Sequence, residues 1–163
     1  MHTLASQVGA LLKSHGLTLV TAESCTGGGV AQAITEVAGS SVWFERGFVT
    51  YSNLAKQQML GVREYTLKRY GAVSEATVRE MVEGALVHSE SQVALAVSGI
   101  AGPDGGTTDK PVGTVWFAWR IKHRETLASM HLLAGNRSDI RAKAVHIGLQ
   151  GVCELLAQVT KIA

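Results

Sequence analysis

The sequence contains few cysteines, no excess of charge of either sign and no long apolar run. Its two cysteines, Cys25 and Cys153, form no closely spaced pair, which favours reduced thiols in a cytoplasmic protein. Fifteen basic residues against 13 acidic ones leave a formal net charge of +2, so nucleic acid is not the expected partner. No apolar run reaches the roughly 18 residues of a membrane-spanning helix, so a membrane is not expected as a partner either.

Histidine spacing typical of zinc sites is also missing. The six histidines show no HxH, HxxxH or HExxH pattern, so we expect no metal site. The N-terminal segment has one lysine and no cleavage-site pattern, which indicates an amphipathic helix rather than a signal peptide. Hydrophobic residues make up 46% of the chain and charged residues 17%, which excludes intrinsic disorder. We expect residues 1–163 to form one domain with its own core.

Glycine, in contrast, is plentiful: 18 of 163 residues, where about 7% is usual. Two clusters, at 27–29 and between 99 and 113, indicate loops that turn sharply or approach a ligand. Elsewhere the hydrophobic periodicity predicts strands that alternate with helices, which implies an α/β fold with a mixed sheet. The first predicted helix ends at Gly16, and the others cover 29–37, 53–60, 75–88 and 137–159. Ser52 and Ser74 are the predicted caps of the helices at 53–60 and 75–88. The predicted strands cover 17–22, 44–51, 93–97, 114–121 and 125–133.

The first segment that can carry chemistry is TAESCTGGG, from Thr21 to Gly29. A strand runs into small polar residues and then into glycines that open a helix, whose first N–H groups can stabilise an anion or a developing oxyanion. The alternative is an ordinary turn in which Ser or Thr caps the helix. Because the segment matches neither GxGxxG, GxxxxGK[ST] nor GxSxG, dinucleotide folds, P-loops and α/β-hydrolases lose their main support. Cys25 ranks below Ser24 as a nucleophile, since no histidine lies near it in sequence.

The second segment is RGFVTYSNLAK, which ends at Lys56. Lys56 shares a helix face with Met59 and Leu60, and desolvation of a half-buried lysine lowers its pKa far enough for it to act as a base. Moving that pKa from ~10.4 to ~7.5 requires about 4 kcal/mol. A nearby anion would oppose the shift, so an anionic part of a substrate should lie away from Lys56. The alternative is a surface lysine whose stem covers apolar neighbours.

Two further features can bind a ligand. The stretch SGIAGPDGG begins at Ser98 and follows a buried strand, and in α/β sheets ligands bind outside the carboxyl ends of the strands. The alternative is a mobile surface loop. Arg137 and Arg141 fall on the apolar face at the start of the last helix, where cations oppose the helix dipole. They predict an anion site or, alternatively, ion pairs with acidic residues elsewhere.

Together these motifs resemble those of the CinA C-terminal domain family. The matching stretches are TAESCTGG, GSSVWFERGFVTYSN with the following Ala-Lys, GAVSE, and SGIAGPDGG followed by KPVGTVWFA. The resemblance runs from about residue 4 to 156 and implies a three-layer α/β/α sandwich with a mixed sheet. It also implies hydrolysis of the carboxamide of nicotinamide mononucleotide to nicotinate mononucleotide and ammonia, which recycles pyridine nucleotide toward NAD without a cofactor. The additional N-terminal domain of two-domain relatives, and its pyrophosphatase activity, are not expected.

The resemblance also assigns roles to residues. The family's catalytic pair carries over onto Ser24 as nucleophile and Lys56 as its base, in agreement with the need of a serine for an adjacent base. Tyr51 joins them as a candidate catalytic group. Two assignments come from the residues and not from the resemblance: the N–H groups of residues 25–28 are the candidate oxyanion hole, and Arg141, ranked ahead of Arg137, is the candidate for the phosphate. The candidate substrate-binding residues are Thr26, Gly27, Gly28, Ser98, Gly99, Arg137 and Arg141.

A nucleotide-binding module without catalysis is the alternative function, since the same glycines and arginines would serve it. The joint presence of Ser24, Tyr51 and Lys56 favours the enzyme. A nucleic-acid protein would rest only on the basic hairpin tip at 120–124. The resemblance further implies a homo-oligomer, and we expect the three tryptophans in the core or at an interface.

Overall fold

The computed structural model describes residues 2–159, which form six helices and five strands. The helices are α1 (His2–His15), α2 (Gly29–Thr35), α3 (Asn53–Leu60), α4 (Glu64–Tyr70), α5 (Glu75–Val87) and α6 (Arg137–Ala157). The strands are β1 (Leu19–Glu23), β2 (Phe44–Val49), β3 (Val93–Gly99), β4 (Thr114–Ile121) and β5 (Leu127–Leu132). A 3₁₀ turn, Ser40–Val42, precedes β2.

The five strands form one mixed sheet in the order β2-β1-β3-β4-β5. Strand β1 is parallel to both β2 and β3, whereas β4 is antiparallel to β3 and β5. Glu23 lies opposite Val49 on one side and Val97 on the other. The three parallel strands therefore end at the same edge of the sheet, and the predicted mixed sheet is confirmed.

Side chains alternate between the two faces of each strand, so each face carries its own apolar cluster. Helices α1, α2 and α6 cover the face of Leu19, Leu95 and Phe117. Helices α3, α4 and α5 cover the other face, where β3 and β4 present the small side chains of Ala96 and Ala118. These two helical layers around one sheet confirm the predicted α/β/α sandwich.

Helix α6 approaches the sheet closely because it carries glycine where Trp119 packs. The Trp119 indole N–H donates to the carbonyl oxygen of Gly148 at 2.9 Å. A Cβ atom at Gly151 would come within 2.2 Å of the same indole ring. Trp119 and Trp43 are both buried, so the core, rather than an interface, accounts for these two tryptophans.

The helix starts follow the sequence signals closely. The Ser52 hydroxyl accepts a hydrogen bond from the Ala55 N–H at the start of α3, and Ser74 caps α5 in the same way. Both serines were predicted to cap these helices, because a hydroxyl satisfies an N–H that has no partner within the helix.

Several predicted bounds differ from the structure by one or two residues, and the structure contains one additional helix. Strand β1 covers 19–23 rather than 17–22, which places Glu23 inside the sheet. Helix α4 was not predicted, because only Thr66 and Leu67 of its seven residues are buried and the apolar pattern is too weak. No helix in the span from residue 2 to 159 is long and apolar enough to cross a membrane.

Candidate active site

A cavity of about 300 Å³ opens at the carboxyl edge of the parallel strands. Strand β1 lies between β2 and β3 there, which is the position where α/β sheets form ligand-binding crevices. The cavity walls come from the end of β1, the start of α3, the turn between α4 and α5, the loop after β3, and the start of α6. The lining residues are Ser24, Cys25, Tyr51, Asn53, Lys56, Ala72, Val73, Ser98, Gly99, Ile100, Ala101, Gly102, Asp104, Gly105 and Arg137.

Lys56 and Ser24, which are 32 residues apart in sequence, contact each other in this cavity. The Lys56 Nζ lies 3.0 Å from the Ser24 Oγ. It also donates to the carbonyl oxygens of Thr50 at 2.9 Å and Tyr51 at 3.2 Å. Lys56 is only 1% exposed, so the interpretation of this residue as a surface lysine is wrong.

Burial changes the acidity of two groups in the cavity. Desolvation lowers the pKa of Lys56 to about 8, and a charged Cys25 would oppose this shift. Desolvation also raises the pKa of the Cys25 thiol to about 11, so that thiol is uncharged at neutral pH and does not stabilise the Lys56 cation. A fraction of Lys56 is therefore neutral near pH 7, as a base requires, whereas Cys25 is a poor nucleophile.

Ser98 presents a second hydroxyl to the cavity. It lies at the end of β3 beside Gly99 and is 1% exposed. Within residues 2–159 its Oγ atom has no hydrogen-bond partner. Because an unpartnered buried hydroxyl is unfavourable by about 1–3 kcal/mol, this one is available to a bound ligand.

Arg137 connects two walls of the cavity at its mouth. Its Nη1 donates to the carbonyl oxygen of Gly102 at 2.7 Å, and its Nη2 donates to the Tyr51 hydroxyl at 3.2 Å. The Tyr51 side chain itself is exposed. A guanidinium has five N–H donors, so Arg137 keeps others for an anion.

Arg141 lies outside the cavity lining. Its Nε donates to the carbonyl oxygen of Cys25 at 3.0 Å, and its Nη2 donates to that of Thr26 at 3.2 Å. Neither Arg141 nor Arg137 is within ion-pair distance of a carboxylate in the described part of the chain, so the ion-pair alternative is wrong. Of the two arginines, Arg137 lines the cavity and Arg141 does not.

Thr26, Gly27 and Gly28, predicted to bind substrate, are likewise absent from the cavity lining. The Thr26 hydroxyl is buried and donates to the Glu23 Oε1 at 2.6 Å. Gly28 is the N-cap of α2 with φ of 98°, a left-handed conformation that favours glycine. Since the cap is glycine, the alternative of a Ser or Thr cap at this turn is also wrong.

Glu23 is a part of this turn that the sequence analysis missed. Its carboxylate accepts hydrogen bonds from the backbone N–H groups of Val30 at 2.8 Å and Ala31 at 3.0 Å. The protein's own carboxylate thus occupies the N-terminus of α2, where an external anion was expected. An acidic residue before a glycine turn and a helix was the available signal, because acids stabilise helix N-termini.

Asn53 and Asp104 also line the cavity without having been singled out. Asn53 begins α3, in the segment that was predicted to carry the base Lys56, and Asp104 lies in the glycine-rich stretch that was predicted to bind a ligand. In the range 2–159, no three His, Cys, Asp or Glu side chains come together in a way that could hold a metal ion.

Comparison with known proteins identifies one family by sequence and by structure. The family model of the CinA C-terminal domain matches residues 1–156. The chain is 54% identical to the nicotinamide-nucleotide amidohydrolase PncC of Escherichia coli K12, over 96% of this chain and 95% of that protein. It is 53% identical to a CinA-like protein of Akkermansia muciniphila, over 88% of this chain but 34% of that longer protein. The crystal structure of the competence damage-inducible protein A from Klebsiella pneumoniae superimposes with a TM-score of 0.94 at 42% identity, covering 98% of each chain.

Proposed function

Because the chain belongs to the CinA C-terminal domain family, we propose that its cavity hydrolyses the carboxamide of nicotinamide mononucleotide. The products are nicotinate mononucleotide and ammonia. Relatives named nicotinamide-nucleotide amidohydrolase, which match over nearly their whole length, support this substrate. In the cell the reaction would return pyridine nucleotide toward NAD.

The observation that carries the proposal is the contact between Lys56 Nζ and Ser24 Oγ at 3.0 Å. A neutral amine has two N–H bonds and one lone pair. The carbonyl oxygens of Thr50 and Tyr51 accept the two N–H bonds, so the lone pair is left for the Ser24 hydroxyl. This arrangement suits a base that takes the proton of a serine.

The reaction we propose is acyl transfer through Ser24. Neutral Lys56 takes the hydroxyl proton as the Ser24 Oγ attacks the carboxamide carbon. The protonated Lys56 then gives its proton to the leaving nitrogen, and ammonia departs from an acyl-enzyme. Water attacks the ester with Lys56 again as base, which releases the carboxylate product and restores the Ser24 hydroxyl.

Backbone N–H groups at the turn after Ser24 stabilise the oxyanion in this mechanism. The Cys25 N–H is the first candidate, because Cys25 lines the cavity and directly follows the nucleophile. The N–H groups of Val30 and Ala31 are not candidates, since they donate to the Glu23 carboxylate. The oxyanion hole therefore comes from the turn and not from helix α2 itself.

The remaining cavity groups bind the rest of the substrate. Ser98, beside Gly99, offers the carboxamide a hydroxyl that has no partner among residues 2–159. Tyr51, which also lines the cavity, helps to position the carboxamide. Arg137 takes the phosphate at the mouth, away from Lys56, whose neutral form a phosphate would otherwise disfavour.

The test is ammonia release from nicotinamide mononucleotide by the purified protein, without added metal, beside Ser24→Ala. Mass spectrometry would verify the conversion of carboxamide to carboxylate. We expect turnover that is lost in Ser24→Ala and kept in Ser14→Ala, a control whose exposed hydroxyl donates to the Leu11 carbonyl oxygen within α1. If the nucleotide stabilises the protein against heat but is not turned over, the protein is a nucleotide-binding module and the proposed activity is wrong.

We further propose that residues 1–163 act as a single amidase domain in the cytoplasm and that copies of it associate. The free thiols of Cys25 and Cys153 suit a reducing compartment. Strand β5 forms an edge of the sheet and exposes Met130 and Leu132, and its sequence LASMHL has no proline or lysine to block edge pairing. Light scattering of the wild type and of Met130→Lys would test this assembly; an unchanged monomer in both would contradict it.

A further inference from the structure

Arg141 reaches from helix α6 to the turn that follows Ser24. Its Nε is 3.0 Å from the carbonyl oxygen of Cys25, and its Nη2 is 3.2 Å from the carbonyl oxygen of Thr26. The side chain is half-buried between α6 and the turn. The guanidinium therefore joins two successive peptide groups to a different element of the fold.

The two carbonyl oxygens depend on Arg141 to different degrees. That of Thr26 also accepts the Gly29 N–H at 2.9 Å. The carbonyl oxygen of Cys25 accepts from Arg141 and from no other donor among the described residues. Loss of the guanidinium would thus leave the Cys25 carbonyl group without its partner, and the peptide that follows Cys25 could rotate.

The orientation of these peptides matters because a trans peptide is planar and points its C=O and N–H in opposite directions. The Ser24 carbonyl oxygen accepts the Gly27 N–H at 3.0 Å, which sets the direction of the Cys25 N–H. Arg141 holds the next carbonyl, that of Cys25, and so sets the direction of the Thr26 N–H. Both peptide planes that flank Cys25 are then held, and with them the backbone on the carboxyl side of Ser24.

We propose that Arg141 is a positioning residue, which holds the turn after Ser24 so that the hydroxyl faces the reacting carbon and the adjacent N–H groups face its oxygen. This inference rests on the proposed function. Arg141 acts through the backbone of Cys25 and Thr26 and does not bind the phosphate. Its loss consequently lowers kcat and leaves substrate affinity unchanged.

The first experiment is steady-state kinetics of Arg141→Ala and Arg141→Lys with nicotinamide mononucleotide. A displacement of about 1 Å at a reacting group can lower a rate about 100-fold, so we expect kcat of Arg141→Ala to fall about 10- to 100-fold with KM unchanged. Arg141→Lys keeps one donor and should recover part of the rate. If circular dichroism shows that Arg141→Ala does not fold, the effects on kcat and on KM are compared in Arg141→Lys instead.

A binding measurement separates positioning from phosphate recognition. In a Ser24→Ala background, which prevents turnover, calorimetry gives the Kd for nicotinamide mononucleotide. Adding Arg141→Ala should leave this Kd unchanged, whereas adding Arg137→Ala, an arginine one turn earlier on α6 and at the cavity mouth, should raise it. A Kd raised as much by Arg141→Ala as by Arg137→Ala would overturn the proposal.

A third measurement does not depend on the substrate. A fluorophosphonate probe forms a bond from Ser24 Oγ to phosphorus as fluoride leaves and Lys56 takes the hydroxyl proton. We expect labelling of Ser24, followed by mass spectrometry, to slow about 10- to 100-fold in Arg141→Ala. Equal labelling rates in wild type and variant would overturn the role of Arg141, even if nicotinamide mononucleotide proved not to be a substrate. Slower labelling without any amidase activity would uphold it and contradict only the proposed function.

Discussion

The Nζ atom of Lys56 lies 3.0 Å from the Oγ atom of Ser24, at the base of a cavity formed by the ends of three parallel strands. Helix α3 brings the lysine there, because its Ser52 cap places Lys56 one turn along the helix. The amine is buried without a carboxylate within ion-pair distance in the described structure, so desolvation dominates and lowers its pKa to about 8. The proposed nucleophile is thus in contact with an amine that can be neutral near physiological pH, as the proposed base must be.

This pKa predicts the pH dependence of the reaction. The neutral amine is the active form, so kcat/KM should rise about tenfold per pH unit below pH 8 and level off above it. At pH 7 about one-tenth of Lys56 is neutral. Lys56→Arg, which cannot lose its proton in this range, should have no activity at any pH. A rate that is independent of pH between 6 and 9 would contradict the role of Lys56 as base.

Cys25 adjoins the proposed nucleophile, yet we predict that it takes no part in the chemistry. Burial raises its pKa to about 11, so on the order of one thiol in a thousand or fewer is ionised at pH 7.5. Cys25→Ala should keep most of kcat, and alkylation of Cys25 by iodoacetamide at pH 7.5 should be slower than that of the more exposed Cys153. Peptide mass spectrometry measures both rates. Loss of turnover as complete as in Ser24→Ala would show that the thiol is required.

Arg137 should affect affinity for the phosphate. Hydrogen bonds to charged groups contribute about 1.5–3 kcal/mol, so Arg137→Ala should raise KM for nicotinamide mononucleotide about 10- to 100-fold. The matched control is the substrate, because nicotinamide riboside lacks the phosphate and should be hydrolysed with the same kcat/KM by wild type and variant. If kcat/KM fell equally for both compounds, Arg137 would bind a part of the substrate other than the phosphate.

Glu23 should stabilise the turn after the nucleophile. Its buried carboxylate accepts hydrogen bonds from Thr26 Oγ1 and from two N–H groups of α2. Glu23→Gln keeps the size but removes the charge, so we expect the free energy of unfolding to fall by about 1–3 kcal/mol. Urea denaturation measures this change. Glu36→Gln at the exposed other end of α2 is the control, and equal effects of the two substitutions would refute the assignment.

The fold could be predicted from the sequence to a large extent, because its elements follow local signals. The Ser52 and Ser74 caps, the buried run of β3 and the hairpin of β4 and β5 all lie where composition and periodicity indicated. Helix α4 could not be predicted, since its stability depends on contacts such as the Thr66 hydroxyl with Glu80, 14 residues away. Local signals contain no information about such a partner.

For the candidate site, the sequence by itself identified the segments and the tertiary structure decided which side chains meet in them. Ser24, Lys56, Tyr51 and Ser98 belong to motifs that were recognisable from residue type and order, and all four line one cavity. The different contacts of the two arginines could not be deduced, because in a helix Arg137 and Arg141 lie on the same face. Only the packing of α6 against the turn after β1 directs Arg141 to backbone carbonyls and leaves Arg137 at the cavity. Periodicity in the sequence shows which face of a helix a residue lies on. Which neighbouring element each turn of that helix contacts is determined by the packing of the whole domain.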